Sequence, residues 1–152
     1  MQIDTFRDII HWTRAYHQQL SEWLRNSGSA QHDERAQMLL DYLADHEAKL
    51  SRAITAFEAT DNLNALDTWV MEFLDKKPLL PSASLGAPFA DMSADEIIAK
   101  VEDEHNQIVE LYRFLVSRVN TTPAADLLEE LADLEQHEAM RLSQAANRLH
   151  DI

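Results

Sequence analysis

The residues able to do chemistry sit where the apolar seams of the chain are broken. Glu135 and Glu138 occupy two successive seam positions of one amphipathic stretch. His46 and Glu47 lie between Leu43 and Leu50, Glu104 and His105 between Val101 and Ile108, and Tyr16 and His17 between Thr13 and Leu20. Each break falls near the middle of its stretch. A buried carboxylate is costly unless it is paired, hydrogen-bonded or bound to a cation. Four breaks near one level therefore point to a shared polar layer. Carboxylates and imidazoles gathered in this way are ligands for divalent metal ions. The same residues also suit a metal-free layer of hydrogen-bonded carboxylates, partnered by Arg14, Tyr16, His17 and Tyr112, that keeps the helices in register. A shift in helix phase would instead expose the carboxylates, and each histidine taken singly also reads as a satisfied interior side chain.

The elements that must position these residues are helices. Apolar residues recur at three-and-four spacing over roughly 4–26, 31–59, 94–119 and 123–150. Asn26-Ser27-Gly28-Ser29 predicts the end of the first helix, with Gly28 in the left-handed C-terminal position. Ser93-Ala94-Asp95-Glu96 is a capping box that starts the third. Asn120-Thr121 stops it, and Thr122-Pro123 starts the fourth, with Thr122 as N-cap. Between the second and third helices, 60–93 is less regular. Leu63 to Leu74 suggests a short helix, and the three prolines and Gly86 between Pro78 and Met92 suggest an extended connection. Two short hairpin loops and one long middle connection predict an all-α, antiparallel four-helix bundle with one crossover, filling a single domain over 1–152. Trp12, Trp23 and Trp69 are expected as core or interface aromatics.

Composition narrows the partners. The chain has 152 residues and carries 13 Lys+Arg against 27 Asp+Glu, a formal net charge of −14. Nucleic acid and anionic membranes call for a basic surface, so neither is expected as a partner. An acidic surface suits the attraction of cations. The absence of cysteine excludes disulfides, thiolate nucleophiles, iron–sulfur clusters and thiolate zinc sites. Met1-Gln2-Ile3-Asp4 opens with neither a basic nor an apolar region, and the chain has no run of about 18 apolar residues, so a cytoplasmic location is expected.

The two predicted hairpins echo one another. Leu43-Ala44-Asp45-His46-Glu47 matches Leu131-Ala132-Asp133-Leu134-Glu135, and His17-Gln18-Gln19-Leu20-Ser21-Glu22 resembles His105-Asn106-Gln107-Ile108-Val109-Glu110. Tyr16 to Glu47 and Glu104 to Glu135 are both 31 residues apart. A second register, His46-Glu47-Ala48 against His137-Glu138-Ala139, is also open.

Glu104, the run Leu111-Tyr112-Arg113-Phe114-Leu115 after it, and Leu131-Ala132-Asp133-Leu134-Glu135-Gln136-His137-Glu138 resemble the ferritin-like superfamily, its rubrerythrin-like branch in particular. In that family a mid-helix Glu precedes an aromatic residue, and the next helix supplies a Glu and then a His three positions on. The resemblance implies iron or manganese held by carboxylates and histidines of four helices, for oxygen or peroxide chemistry or iron handling. Carried over, the ligand positions are Glu47, Glu104 and Glu135. Tyr16 stands where a Glu belongs, and Leu50 and Glu138 stand where histidines belong. Glu102 with His105 also makes a Glu-x-x-His, though on a helix where the family has none. His17, His46, His105 and His137 lie beside the ligand positions, about 100° away around their helices. Glu104-His105 also looks like the start of a haemerythrin-like helix, but residue i+4 after His17, His46 and His137 is Ser21, Leu50 and Arg141 rather than Glu or His.

The expectation is therefore a metal-binding bundle holding iron or manganese among Glu47, Glu104, Glu135 and Glu138, with His17, His46 or His137 as nitrogen donors. Oxidoreductase turnover is left open, and a homodimer is expected. The alternative is a metal-free bundle acting as an oligomeric interaction module, its apolar 63–90 segment covering a neighbouring subunit.

Overall fold

The computed structural model describes residues 4–58, 88–119 and 122–150. Among them are four long helices and no strand: α1 (Phe6–Ala30), α2 (Glu34–Glu58), α3 (Ala94–Arg118) and α4 (Thr122–His150). α1 packs along α2 and α3 along α4, while α2 also meets α3 and α4, as in a helical bundle. One apolar core joins the four helices, with Phe6, Ile9, Leu20, Leu40, Ile108, Tyr112 and Leu128 fully buried. The short helix expected at Leu63–Leu74, Trp69, most of the apolar 63–90 segment and the Asn120-Thr121 stop lie outside the described residues.

The helix starts follow local hydrogen-bond chemistry. Ser93 Oγ accepts from Glu96 N at 3.2 Å and the Glu96 carboxylate accepts from Ser93 N at 3.2 Å, closing the capping box read from the sequence. Thr5 and Asp8 make the same exchange at the start of α1. α4 begins at Thr122 itself, one residue earlier than the capping pattern suggests.

One expectation is corrected. Gly28 does not end α1 in a left-handed conformation. The helix runs on to Ala30, and no described glycine has a positive φ. Gly28 lies beside α2: a Cβ there would lie 2.9 Å from the exposed Asp41 Oδ1 and in ordinary contact, 3.7 Å, with Leu40 Cβ. The turn out of α1 belongs to Gln31. Its side-chain amide donates to the carbonyls of Phe89 and Met92 at 3.1 and 3.0 Å, and its oxygen accepts from His32 N and Asp33 N. Gln31 thus ties the α1–α2 turn to the 3₁₀ turn Phe89–Asp91 that precedes α3. Trp23, expected as a core or interface aromatic, is 39 % exposed and lies outside the core. Leu20 and Leu24 occupy the buried line of α1, and one step along a helix turns a side chain about 100° away from it.

Candidate metal centre

Each helix contributes one side chain to a closed ring in the middle of the bundle. His17 comes from α1, Glu47 from α2, His105 from α3 and Glu135 from α4. All four are 0–1 % exposed. His17 Nδ1 lies 2.5 Å from Glu47 Oε2, and His17 Nε2 lies 2.6 Å from Glu135 Oε1. His105 Nε2 meets Glu47 Oε1 in a very short contact, and His105 Nδ1 lies 3.5 Å from Glu135 Oε2. The imidazole rings are 5.4 Å apart, centroid to centroid, and tilted by 45°. Each histidine thus touches both carboxylates, and each carboxylate touches both histidines.

Helix periodicity explains why adjacent residues both point inward. A stripe facing two neighbouring helices is wider than one position. Tyr16 and His17 on α1, and Glu104 and His105 on α3, are accordingly all buried. The internal repeat sets the equivalence: His17 and Glu47 are 30 residues apart, as are positions 105 and 135. In the ring Glu47 corresponds to Glu135.

Electrostatics hold the ring in its charged form. Burial by itself depresses the His17 imidazole, but the charges of Glu135 and Glu47 overcome it and lift its pKa to about 9. His105 is lifted to about 10 against the same burial, chiefly by the Glu47 charge, with the neighbouring Glu135 adding to it. Burial would raise the carboxylates, yet the His105 and His17 charges hold Glu47 well below the ordinary range. Glu135 is lowered too, against burial, with the His17 charge the largest cause. Two imidazolium ions and two carboxylates sum to zero charge, which buried ions require.

Five further polar residues, Tyr16, Glu104, Lys100, Tyr112 and Thr13, lie around the ring. Tyr16 donates a very short hydrogen bond to Glu104 Oε2, and Lys100 Nζ sits 3.3 Å from Glu104 Oε1. Tyr112 donates to Thr13 Oγ1 at 2.7 Å, and Thr13 passes its own proton to the Ile9 carbonyl at 2.9 Å. Burial and the nearby Glu135 charge push the Tyr112 hydroxyl up, so it stays a neutral donor.

The expected site residues are therefore distributed as follows. Glu47, Glu135 and His17 meet in the ring. Glu104 is buried beside it, engaged by Tyr16 and Lys100. His46 and Glu138 face each other elsewhere between α2 and α4, 3.8 Å apart and partly exposed, with Arg141 on Glu138 at 3.6 Å. His137 is exposed on α4. The ring member left out of the expected set is His105. Its signal was present in the repeat, where His105-Asn106-Gln107 stands opposite His17-Gln18-Gln19.

Two buried ring atoms have no hydrogen-bond partner: His105 Nδ1 and Glu135 Oε2. They face one another at 3.5 Å. His17, Glu47 and His105 together also offer ligand atoms that all lie within 4.8 Å of one another. The donor set, two imidazoles and one carboxylate, fits a divalent first-row ion. No family model, curated protein or solved structure matches the chain, so the functional assignment rests on this ring of side chains.

Proposed function

We propose that this protein binds a divalent metal ion in the middle of its helical bundle, through His17, Glu47 and His105, with Glu135 paired to both histidines beside it. The observation that carries the proposal is that His17, Glu47 and His105, all buried, each offer one ligand atom lying within 4.8 Å of the others. Two neutral imidazoles, two carboxylates and one divalent cation also sum to zero charge. A metal can therefore replace the two imidazolium protons without leaving charge in the core. The imidazole–carboxylate mixture suits iron, manganese or zinc, and iron or manganese is the choice that the ferritin-like resemblance implies. The finer architecture, an antiparallel bundle of the ferritin-like kind, belongs to the same proposal. When bound, such an ion supplies Lewis-acid or redox capacity; the chain's own residues hold it, neutralise it and keep water away.

A second reading is favoured by the two His17 contacts of 2.5 and 2.6 Å. These are hydrogen-bond lengths, and they suit a metal-free ring of ion pairs that fixes helix register. Protein purified without chelator separates the two. Elemental analysis showing iron, manganese or zinc stoichiometric with the chain, and lost in Glu47→Ala, supports the metal. No bound metal, with a melting temperature unmoved by Fe(II), Mn(II) or Zn(II), supports the ion-pair ring.

A further inference from the structure

We infer that Glu135 is the positioning residue of this centre, a single carboxylate that takes the remaining ring proton of both ligand histidines, so that His17 offers Nδ1 to the metal and His105 offers Nε2. The inference rests on the metal-binding reading above and goes beyond it by assigning the ligand atoms and the group that holds them.

The ring has two sides. On one side, Glu47 faces His17 Nδ1 through Oε2 and His105 Nε2 through Oε1. On the other, Glu135 faces His17 Nε2 through Oε1 at 2.6 Å and His105 Nδ1 through Oε2 at 3.5 Å. The two imidazoles are thus used in opposite senses, and the internal repeat gives the reason. Within each helix pair a histidine turns Nδ1 to that pair's own glutamate, His17 to Glu47 and His105 to Glu135. Between the pairs it turns Nε2 to the other glutamate. A carboxylate that touches both histidines must therefore meet Nδ1 of one and Nε2 of the other.

A ligating imidazole is neutral and keeps one N–H. The ligand atoms come together among His17, Glu47 and His105, so the nitrogens facing Glu47 are the ones given to the metal. The remaining protons then sit on His17 Nε2 and His105 Nδ1, and Glu135 is the acceptor for each. Its two oxygens are already divided between them. His105 Nδ1 and Glu135 Oε2 are both buried without a hydrogen-bond partner. Closing their 3.5 Å separation by about 0.3 Å makes a hydrogen bond that satisfies both. A carboxylate behind a ligating histidine fixes its tautomer and ring orientation and makes it a stronger ligand. Glu135 does this for two histidines at once, from α4 to α1 and α3.

The test uses the full chain, isotope-labelled at nitrogen and loaded with Zn(II), whose filled shell keeps magnetic-resonance lines sharp. Long-range proton–nitrogen correlations within each imidazole show which nitrogen carries hydrogen and which binds metal. The expected result is His17 bound through Nδ1 with hydrogen on Nε2, and His105 bound through Nε2 with hydrogen on Nδ1. In Glu135→Gln the carboxamide has one acceptor oxygen instead of two. That variant is expected to keep one Zn(II) per chain, bound about 10–100-fold more weakly in competition with a chromophoric chelator. The ring N–H of one histidine, left without an acceptor, exchanges faster with water. Both histidines bound through the same kind of nitrogen, or the reverse pattern with His17 through Nε2 and His105 through Nδ1, overturns the assignment while the metal reading stands. So does a Glu135→Gln chain that binds Zn(II) as tightly as the wild type, or one that folds and binds none. If that variant does not fold, the wild-type pattern decides by itself. Failure of Zn(II), Fe(II) and Mn(II) all to bind the wild-type chain overturns both readings.

Discussion

Replacing His17 by glutamine tests the ring most directly. Glutamine keeps similar bulk and one amide donor but removes the charge that Glu47 and Glu135 share. Lifting the imidazole from 6.5 to about 9 corresponds to about 3 kcal/mol of preference for the charged form. Removing one partner of a buried pair costs about 3–5 kcal/mol, because the remaining charge is stranded. Both routes agree, and all three groups are buried, so solvent screening does not reduce the figure. For a chain of this size the loss corresponds to a melting temperature lower by about 6–20 °C. The assay is urea unfolding followed by far-UV circular dichroism, with chelator present to isolate the proton-bound ring. The pH dependence has a definite sign. His17 and His105 have raised pKa values, so their contribution is complete below 6.5 and is lost as pH rises through about 9 and 10. Glu47 and Glu135 have lowered pKa values, so theirs is present above 4.5 and is lost as pH falls below it. The wild-type advantage over His17→Gln is therefore widest between 4.5 and 6.5 and narrows on both sides. A difference below about 1 kcal/mol at pH 6, typical of an exposed pair, or a difference independent of pH, would refute the charged ring.

Other perturbations probe separate parts of the molecule. A metal bound at one hundred times its dissociation constant raises stability by about 2.7 kcal/mol; that increment, read by thermal melts with and without Zn(II) or Mn(II), should vanish in Glu47→Gln. Gly28→Ala should stabilise by up to about 1 kcal/mol through helix propensity. The only tight contact is the free end of the exposed Asp41 side chain, which swings aside; a loss in urea unfolding would mean that α1 and α2 cannot accept a methyl group there. Gln31→Ala removes the two donors to Phe89 and Met92 and should cost about 1–2 kcal/mol. Amide exchange should rise at Asp91 and Met92, whose N–H groups close the 3₁₀ turn. Ser93→Ala breaks the capping box and should cost about 1 kcal/mol, read from the same unfolding curves.

The one-dimensional pattern determined the helices and the level of the polar layer. Three-and-four apolar spacing is a local property, and so is the Ser93–Glu96 box, because both are written within a few residues. Four breaks at mid-helix marked Tyr16, His17, His46, Glu47, Glu104, His105, Glu135 and Glu138 as interior; six of them are buried, while His46 and Glu138 are partly exposed. Local pattern could not choose among them. Whether His17 or Tyr16, and His105 or Glu104, faces the two glutamates depends on the rotation of each helix about its axis, set by how α1 and α3 seat against α2 and α4. The same limit applies to Gly28, whose neighbours Leu40 and Asp41 on α2 are visible only once the helices meet. Tertiary packing also separated Glu138 and His46 from the ring, since three residues along α4 turn a side chain out of the closed centre and toward the solvent edge. A ring of four donors from four helices is a long-range arrangement, and its members come together only when the bundle closes.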